Sequence, residues 1–268
     1  MRLVVCSAVD PASVNIRTAL LALAPWREEG AFDGSPVYRH LPLGLVTLRD
    51  EHLYRDHVDR EIAEALGQGP EAVIYASRHR SAAGRRALTT HPIGNFGEAR
   101  YGGKPGTLVP AAPAVMSSLL REMRRAAAGM SLEVTLECTH HGPLLTTPTC
   151  YVEVGSDVSG WQDAEAAAAV ARAILACDPS NRPVAIGFGG GHYVPRMTDL
   201  AANGTYDLGH MASVHDIEAA GAKAVDLALA ATPGAAHAVF QTRASEREAH
   251  DALRERARIL GLSIVEPG

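Results

Sequence analysis

Apolar residues fall in short runs divided by polar, glycine- and proline-rich punctuation. Residues 3–9 open on Leu-Val-Val-Cys, a run of the length and character of a strand buried on both faces. A helical pattern follows over 11–23, with Asp10 as N-cap and Pro11 at the first helical position. Short strand patterns recur over 37–41 and 45–48, joined at Pro42-Leu43-Gly44, and a helix over 56–66 closes at Gly67. Residues 72–76 read as another buried strand. From 77 to 110 the period vanishes; Gly, Arg, Thr and His dominate, and no helix or strand beyond a few residues stands out. So long a stretch without regular structure is usually functional.

Period returns with a helix over 111–127 and strands over 132–138 and 149–154. A helix over 161–176 follows, with Trp161, Ala164, Ala168, Ala171 and Leu175 on one face. A strand over 184–188, helices over 217–230 and 246–260, and strands over 237–240 and 263–265 complete the chain. Strands alternating with helices predict an α/β protein with a mixed, mostly parallel sheet flanked by helices. No repeat, linker or charge block divides the chain, so residues 1–268 are expected to form one domain.

Composition refines this only a little. Aromatic residues are 5% of the chain and alanine is abundant, so the core is expected to be built from Ala, Val, Leu and Ile. No run approaches the ~20 apolar residues of a membrane span, and no membrane partner is expected. The first residues turn polar too soon for a signal peptide. Cys6, Cys138, Cys150 and Cys177 are scattered without a C-x-x-C pair, which argues against a zinc knuckle and fits a reducing cytoplasm. The formal net charge of −5 argues mildly against a nucleic-acid protein, and no DNA partner is expected. Its distribution changes the picture. Residues 72–121 carry Arg78, Arg80, Arg85, Arg86, Arg100, Lys104 and Arg121 against Glu98 alone, a local +6 on a body of −11. Such asymmetry points to a phosphate or polyanion partner.

Four polar clusters are candidates for chemistry: Ser77 to Ser81, Leu88 to Pro105, Glu137 to Pro143, and Gly187 to Pro195. Three begin where a strand is predicted to end. Ligands of open α/β sheets bind beyond the carboxyl ends of strands, so His79, His140, His141 and His192 are expected in one pocket. Imidazoles with a carboxylate, here Glu137, move protons or bind a metal near pH 7. His140, His141 and His192 are the candidate metal ligands, with His79, His91 and Glu137 as further donors. His210 is near enough to another strand-like run to join them. His40, His52, His57, His215, His237 and His250 lack such neighbours and read as surface or structural residues. Gly187-x-Gly189 is no dinucleotide fingerprint, because His192 stands where the third glycine belongs. No Walker A and no G-x-S-x-G sequence occurs; Ser81 is a candidate nucleophile.

Taken together, several pieces resemble the D-aminoacyl-tRNA deacylase family of the archaeal and plant type. They are Ser77-x-His79-x-Ser81, Leu88-Thr89-x-His91-x-x-Gly94-Asn95, Gly102-Gly103-Lys104-Pro105 and Glu137-x-Thr139-His140-His141-Gly142-Pro143. Glu153-Val154-Gly155-Ser156, Trp161-x-Asp163 and Gly187-Phe188-Gly189-Gly190-x-His192-Tyr193-x-Pro195 complete the set. They run in the family's order over nearly the whole chain. The family commonly has Ala where Cys138 and Val194 stand, and the C-terminal third matches loosely apart from Gly209-His210. The resemblance implies hydrolysis of the ester joining a D-amino acid to the tRNA 3′ end, releasing both. It also implies a fold similar to peptidyl-tRNA hydrolases and nucleoside phosphorylases, and zinc as cofactor.

On that reading His140 or His141, oriented by Glu137, serves as general base or holds zinc. His192 or His79 protonates the leaving ribose oxygen. Backbone N–H groups of Gly189, Gly190 and Gly191, with Asn95, donate to the oxyanion. Arg78, Arg80, Arg85, Arg86 and Lys104 hold the terminal phosphates, with strong salt dependence. Ser81, His91, Gly102, Gly103 and Tyr193 complete the substrate-binding set. Two other readings stand beside it: a hydrolase or transferase acting on a different aminoacyl ester or amide, or a nucleotide- or phosphate-binding protein with structural histidines.

Overall fold

The computed structural model describes residues 1–81, 84–179, 181–242 and 246–266. The opening apolar run is β1 (Arg2–Ser7), buried throughout. Asp10 caps α1 (Pro11–Leu23); its Oδ1 accepts from the Ala12 and Ser13 N–H groups at 2.9 and 3.1 Å. A meander of β2 (Arg27–Phe32), β3 (Ser35–His40) and β4 (Leu43–Leu48) leads through α2 (Val58–Leu66) to β5 (Ala72–Arg78). Next come β6 (Ala87–His91), the two-residue pair β7 (Gly94–Asn95) and β8 (Thr107–Leu108), α3 (Pro113–Ala126), β9 (Glu133–Leu136) and β10 (Thr149–Gly155).

These strands form an eight-stranded sheet in the order β2-β3-β4-β1-β5-β10-β6-β9. Its centre, β4-β1-β5-β10, is parallel. The β2-β3-β4 edge is antiparallel, and β6 runs antiparallel to β10 with β9 parallel to β6.

The remaining elements are α4 (Val158–Trp161), α5 (Ala164–Ala176), β11 (Val184–Phe188), α6 (Pro195–Ala202), β12 (Asp207–Ala212), α7 (Val214–Ala220), α8 (Lys223–Ala230), β13 (Ala235–Phe240), α9 (Arg247–Ile259) and β14 (Ser263–Val265). Here β12-β11-β13-β14 make a second, all-parallel sheet. The α/β class and mostly parallel pairing match the sequence expectation, but the strands divide between two main sheets. One apolar core joins them: Val4, Leu119, Met123, Val152, Leu208, Met211 and Val239 belong to a single buried cluster, with α3 between the sheets. Among the described residues no helix is long and apolar enough to cross a membrane.

Several expectations need correction. β2 carries no apolar period because it is an edge strand; of its residues only Phe32 is buried. The stretch from 77 to 110, of which Ala82 and Ala83 lie outside the described residues, hides β6, a fully buried strand within the sheet. Its Thr89, Thr90 and His91 look like loop residues by polarity, yet threonine is β-branched and suits a strand. The helix expected over 161–176 is two, because Asp163 caps a fresh start, accepting from Glu165 and Ala166 N–H. α5 buries Ala166, Ala167, Ala169, Val170, Ala171, Ala173 and Ile174; of the expected face through Trp161 only Ala171 is among them, because an alanine-rich helix offers little contrast. The helix expected over 217–230 starts earlier, at a Ser213–Asp216 capping box, and breaks at Gly221.

Candidate active site

The two sheets meet at the segment after β9. Glu137 bridges to Tyr193, the Cys138 N–H donates to the His192 carbonyl at 2.9 Å, and the Thr139 N–H donates to the Met211 carbonyl at 2.8 Å. The regular strand has ended at Leu136, so His140 and His141 need not point to opposite faces. His141 takes φ 48°, uncommon without glycine, and the two rings lie 4.4 Å apart on one cavity wall. His79 follows β5, His91 ends β6, Glu153 lies in β10, and His192 follows β11. Strand ends from both sheets thus converge.

Glu137 is the centre. It has no solvent exposure and faces three imidazoles: His192 Nε2 at 2.8 Å, His79 Nδ1 at 3.0 Å and His140 Nε2 at 3.6 Å. The distances are short, but the ring N–H directions miss, so neither carboxylate oxygen has a hydrogen-bond partner among the described residues. Glu153 holds the other side, 3.5 Å from His79 Nδ1 and 3.7 Å from His91 Nε2. His79 Nε2 shares a 2.8 Å hydrogen bond with the Tyr193 hydroxyl, which is also bonded to Ser81. His91 stacks on His140 with centroids 4.1 Å apart.

Backbone carbonyls fix two tautomers. A carbonyl only accepts, so His140 Nδ1–H donates to the Cys138 carbonyl at 2.8 Å and His141 Nδ1–H to the Gly142 carbonyl at 2.7 Å. Burial first, then the neighbouring imidazoles, push the His140 pKa well below the usual range. Burial, with His91 adding to it, pushes His141 down to about 3. Both rings are neutral, with a lone pair on Nε2. Burial also pulls on His79 and His91, but hydrogen bonding and charge from Glu153, with the charge of Glu137, outweigh it and raise both. Burial alone would raise Glu137 and Glu153; the surrounding imidazoles lower both. The site therefore holds two carboxylates, two imidazoles that favour the charged form and two neutral ones, the pattern of separated acid and base roles.

Donor atoms within 4.8 Å of one another form four overlapping groups: His79–Glu137–His192, His91–Glu137–Glu153, His91–His140–His141 and Cys138–His140–His192. The expected triple His140–His141–His192 is split among them. The neutral His140 Nε2 lies 3.6 Å from a carboxylate oxygen, an acceptor beside an acceptor. A cation among these donors relieves that repulsion. Nitrogen and carboxylate donors suit zinc.

A cavity of about 850 Å³ opens over the cluster, lined by His79, Glu153, His140, His141 and His192 together with Arg78 and Arg80. The other expected residues take different places. Arg78 pairs with Glu51 at 2.6 Å and lies over the Trp161 ring. Arg85 meets Glu133 at 3.7 Å and Arg86 meets Asp163, so both are engaged away from the cavity. Lys104 is exposed outside it. Asn95 Nδ2 donates to the Gly102 carbonyl at 3.1 Å and holds that loop. At Gly103 a Cβ would lie 3.2 Å from Gly142. Gly189 does not serve an oxyanion: its N–H donates to the Ala212 carbonyl at 2.9 Å, and it and Gly190 pack against Gln241. His210 stays out of the pocket. Its Nδ1 accepts from Thr139 Oγ1 at 3.0 Å and its Nε2–H donates to the Val109 carbonyl at 2.8 Å, so it braces the histidine loop.

Two residues were missed as site members. His52 is 3% exposed and lines the cavity, not the surface. It precedes Leu53-Tyr54 in a short turn, and no sequence pattern marks it. Glu153 did leave a signal: a lone carboxylate inside the apolar, fully buried β10.

Comparison with known proteins places the chain in a family. A family model described as D-aminoacyl-tRNA deacylase matches residues 66–265. A protein of that name from Methanosarcina mazei is 36% identical over 272 residues, covering 98% of this chain and 91% of its own length. Another from Thermoplasma acidophilum is 36% identical, covering 87% of each. One from Methanococcoides burtonii is 44% identical over 77% of this chain, which spans only 44% of that longer relative. The crystal structure of a conserved protein of unknown function superposes with a TM-score of 0.90 at 30% identity, over 100% of this chain and 95% of its own. By the family model and these relatives, the chain belongs to the D-aminoacyl-tRNA deacylase family.

Proposed function

We propose that this protein hydrolyses the ester of D-aminoacyl-tRNA, releasing the free D-amino acid and tRNA in the cytoplasm. The observation that carries the reading is Glu137, unexposed and ringed by His79, His140 and His192 beneath an open cavity, in a chain of this family. Ester hydrolysis needs a proton acceptor for the attacking water and a donor for the leaving ribose oxygen. The neutral His141, with Nε2 unprotonated and the ring held by the Gly142 carbonyl, is placed to accept. His79, held protonated by Glu153 and Glu137 and fixed through Tyr193, is placed to donate. Zinc would be held by Glu137 and His192 with His140, the orphaned Glu137 oxygens supplying the motive. When bound, it supplies Lewis-acid polarisation of the ester carbonyl. A carboxylate-lined floor disfavours the alternative of a phosphate-binding protein.

The test is deacylation of tRNA charged with a D-amino acid, with products identified and zinc measured in the isolated protein. We expect free D-amino acid, intact tRNA and bound zinc removable by chelator. No hydrolysis of any D-aminoacyl-tRNA by the metal-loaded protein overturns the reading.

A further inference from the structure

The cavity has a second half that this chemistry does not use. Tyr54 and Tyr101 line it and are 60% and 63% exposed. Their loops are locked together. Gly102, at φ 74°, brings its backbone so close that a Cβ would sit 1.8 Å from the Leu53 carbonyl oxygen. The Tyr101 carbonyl accepts from the Gly142 N–H at 2.9 Å, immediately after His141. The two phenol rings therefore share one rim, running from the 52–54 turn to the histidine loop. Below them, buried His52 presents an Nε2 with no hydrogen-bond partner among the described residues. Its Nδ1 meets the Tyr151 hydroxyl at 3.3 Å, and Asp10 Oδ2 is 4.0 Å away, too far to bond.

One exposed tyrosine needs no explanation. Two on a common rim, above a buried and unpaired ring nitrogen, form a seat for a flat group with polar edges. Charge narrows the occupant. The lining carries the carboxylates of Asp10, Glu51 and Glu153, and its Arg78 is taken up by Glu51, so an anion is disfavoured in the seat and a phosphate is left to the exposed Arg80 of the same lining. A neutral aromatic base bearing ribose hydroxyls meets every condition. We propose that Tyr54 and Tyr101 stack the 3′-terminal adenine of the tRNA and that His52 Nε2 bonds a ribose hydroxyl. The ester is thereby presented to the histidine–carboxylate cluster. This rests on the deacylase reading and assigns its nucleoside subsite. Aromatic stacking reads a base face without regard to the amino acid attached. Such a seat serves every tRNA that shares the same terminal nucleoside.

The experiment titrates adenosine into the full-length protein and its variants, and measures KM and kcat on D-tyrosyl- and D-aspartyl-tRNA. Both tyrosines are surface residues, and melting curves check that the variants fold. Tyr54→Ala and Tyr101→Ala should each weaken adenosine binding and raise KM by roughly tenfold or more, alike for both substrates, with kcat held. Tyr101→Phe should keep the affinity. His52→Ala should weaken adenosine but not free adenine. No saturable adenosine binding to the wild type, or unchanged affinity in the alanine variants, overturns the proposal. So does a KM effect confined to D-tyrosyl-tRNA, which would seat the amino-acid side chain there instead. If adenosine binding depends on the tyrosines but no D-aminoacyl-tRNA is hydrolysed, the deacylase reading fails and the nucleoside seat stands.

Discussion

Two buried carboxylates in this protein do different work. Glu137 faces imidazoles and no hydrogen-bond donor that is aimed at it. Asp59, 2% exposed in α2, is held instead through one oxygen: its Oδ2 accepts from the N–H and hydroxyl of both Thr146 and Thr147, each at 2.9 Å, while Oδ1 has no hydrogen-bond partner among the described residues. Burial alone would raise the Asp59 pKa, but these four bonds outweigh it and lower it. A carboxyl lowered in the folded state adds stability that is complete above its unfolded pKa of about 3.9 and is lost as pH falls through the folded value. Denaturant unfolding from pH 6 downward should show that loss setting in below about pH 4. Asp59→Asn should be less stable at pH 6 and flatter across the acid range. Parallel profiles for the two proteins would remove Asp59 from the acid response.

At the level of elements, the sequence was most readable where chemistry and period agreed. β11 (Val184–Phe188) and α1 have the expected bounds, because an apolar run and an Asp-Pro start are unambiguous. β6 was hidden because its buried face is threonine and histidine, and those polar groups serve the site. Thr90 Oγ1 donates to the Tyr151 carbonyl at 2.6 Å, and His91 reaches Glu153. The histidines could be picked out by residue type and by their place after strands. Which of them share donors could not. That depends on the left-handed turn at His141 and on the segment after β11 pairing with β9's extension, which the sequence pattern does not mark. Glycines 102 and 189 looked like ligand cradles; they serve backbone packing against Leu53 and Gln241.

On the scale of the whole molecule, the basic segment is less free than its charge suggests. Arg78, Arg85, Arg86, Arg100 and Arg121 meet Glu51, Glu133, Asp163, Glu98 and Asp207. Arg80 and Lys104 are exposed with no acidic partner among the described residues. The strong salt dependence expected from sequence is therefore revised downward. With two or three phosphates neutralised on a single strand, KM should rise roughly tenfold between about 50 and 200 mM salt. A much steeper dependence would mean that the paired arginines leave their acids to bind tRNA.

The central claim is that the Glu137-centred histidine cluster carries out D-aminoacyl ester hydrolysis. The most direct measurement is the single-turnover rate on D-aminoacyl-tRNA for the wild type and for Glu137→Gln, which keeps the size and removes the charge, with folding checked by melting. The expected result is a fall of about 10² or more in the folded variant, while the wild type leaves the matching L-aminoacyl-tRNA largely intact. A folded Glu137→Gln protein that deacylates at the wild-type rate would contradict the account.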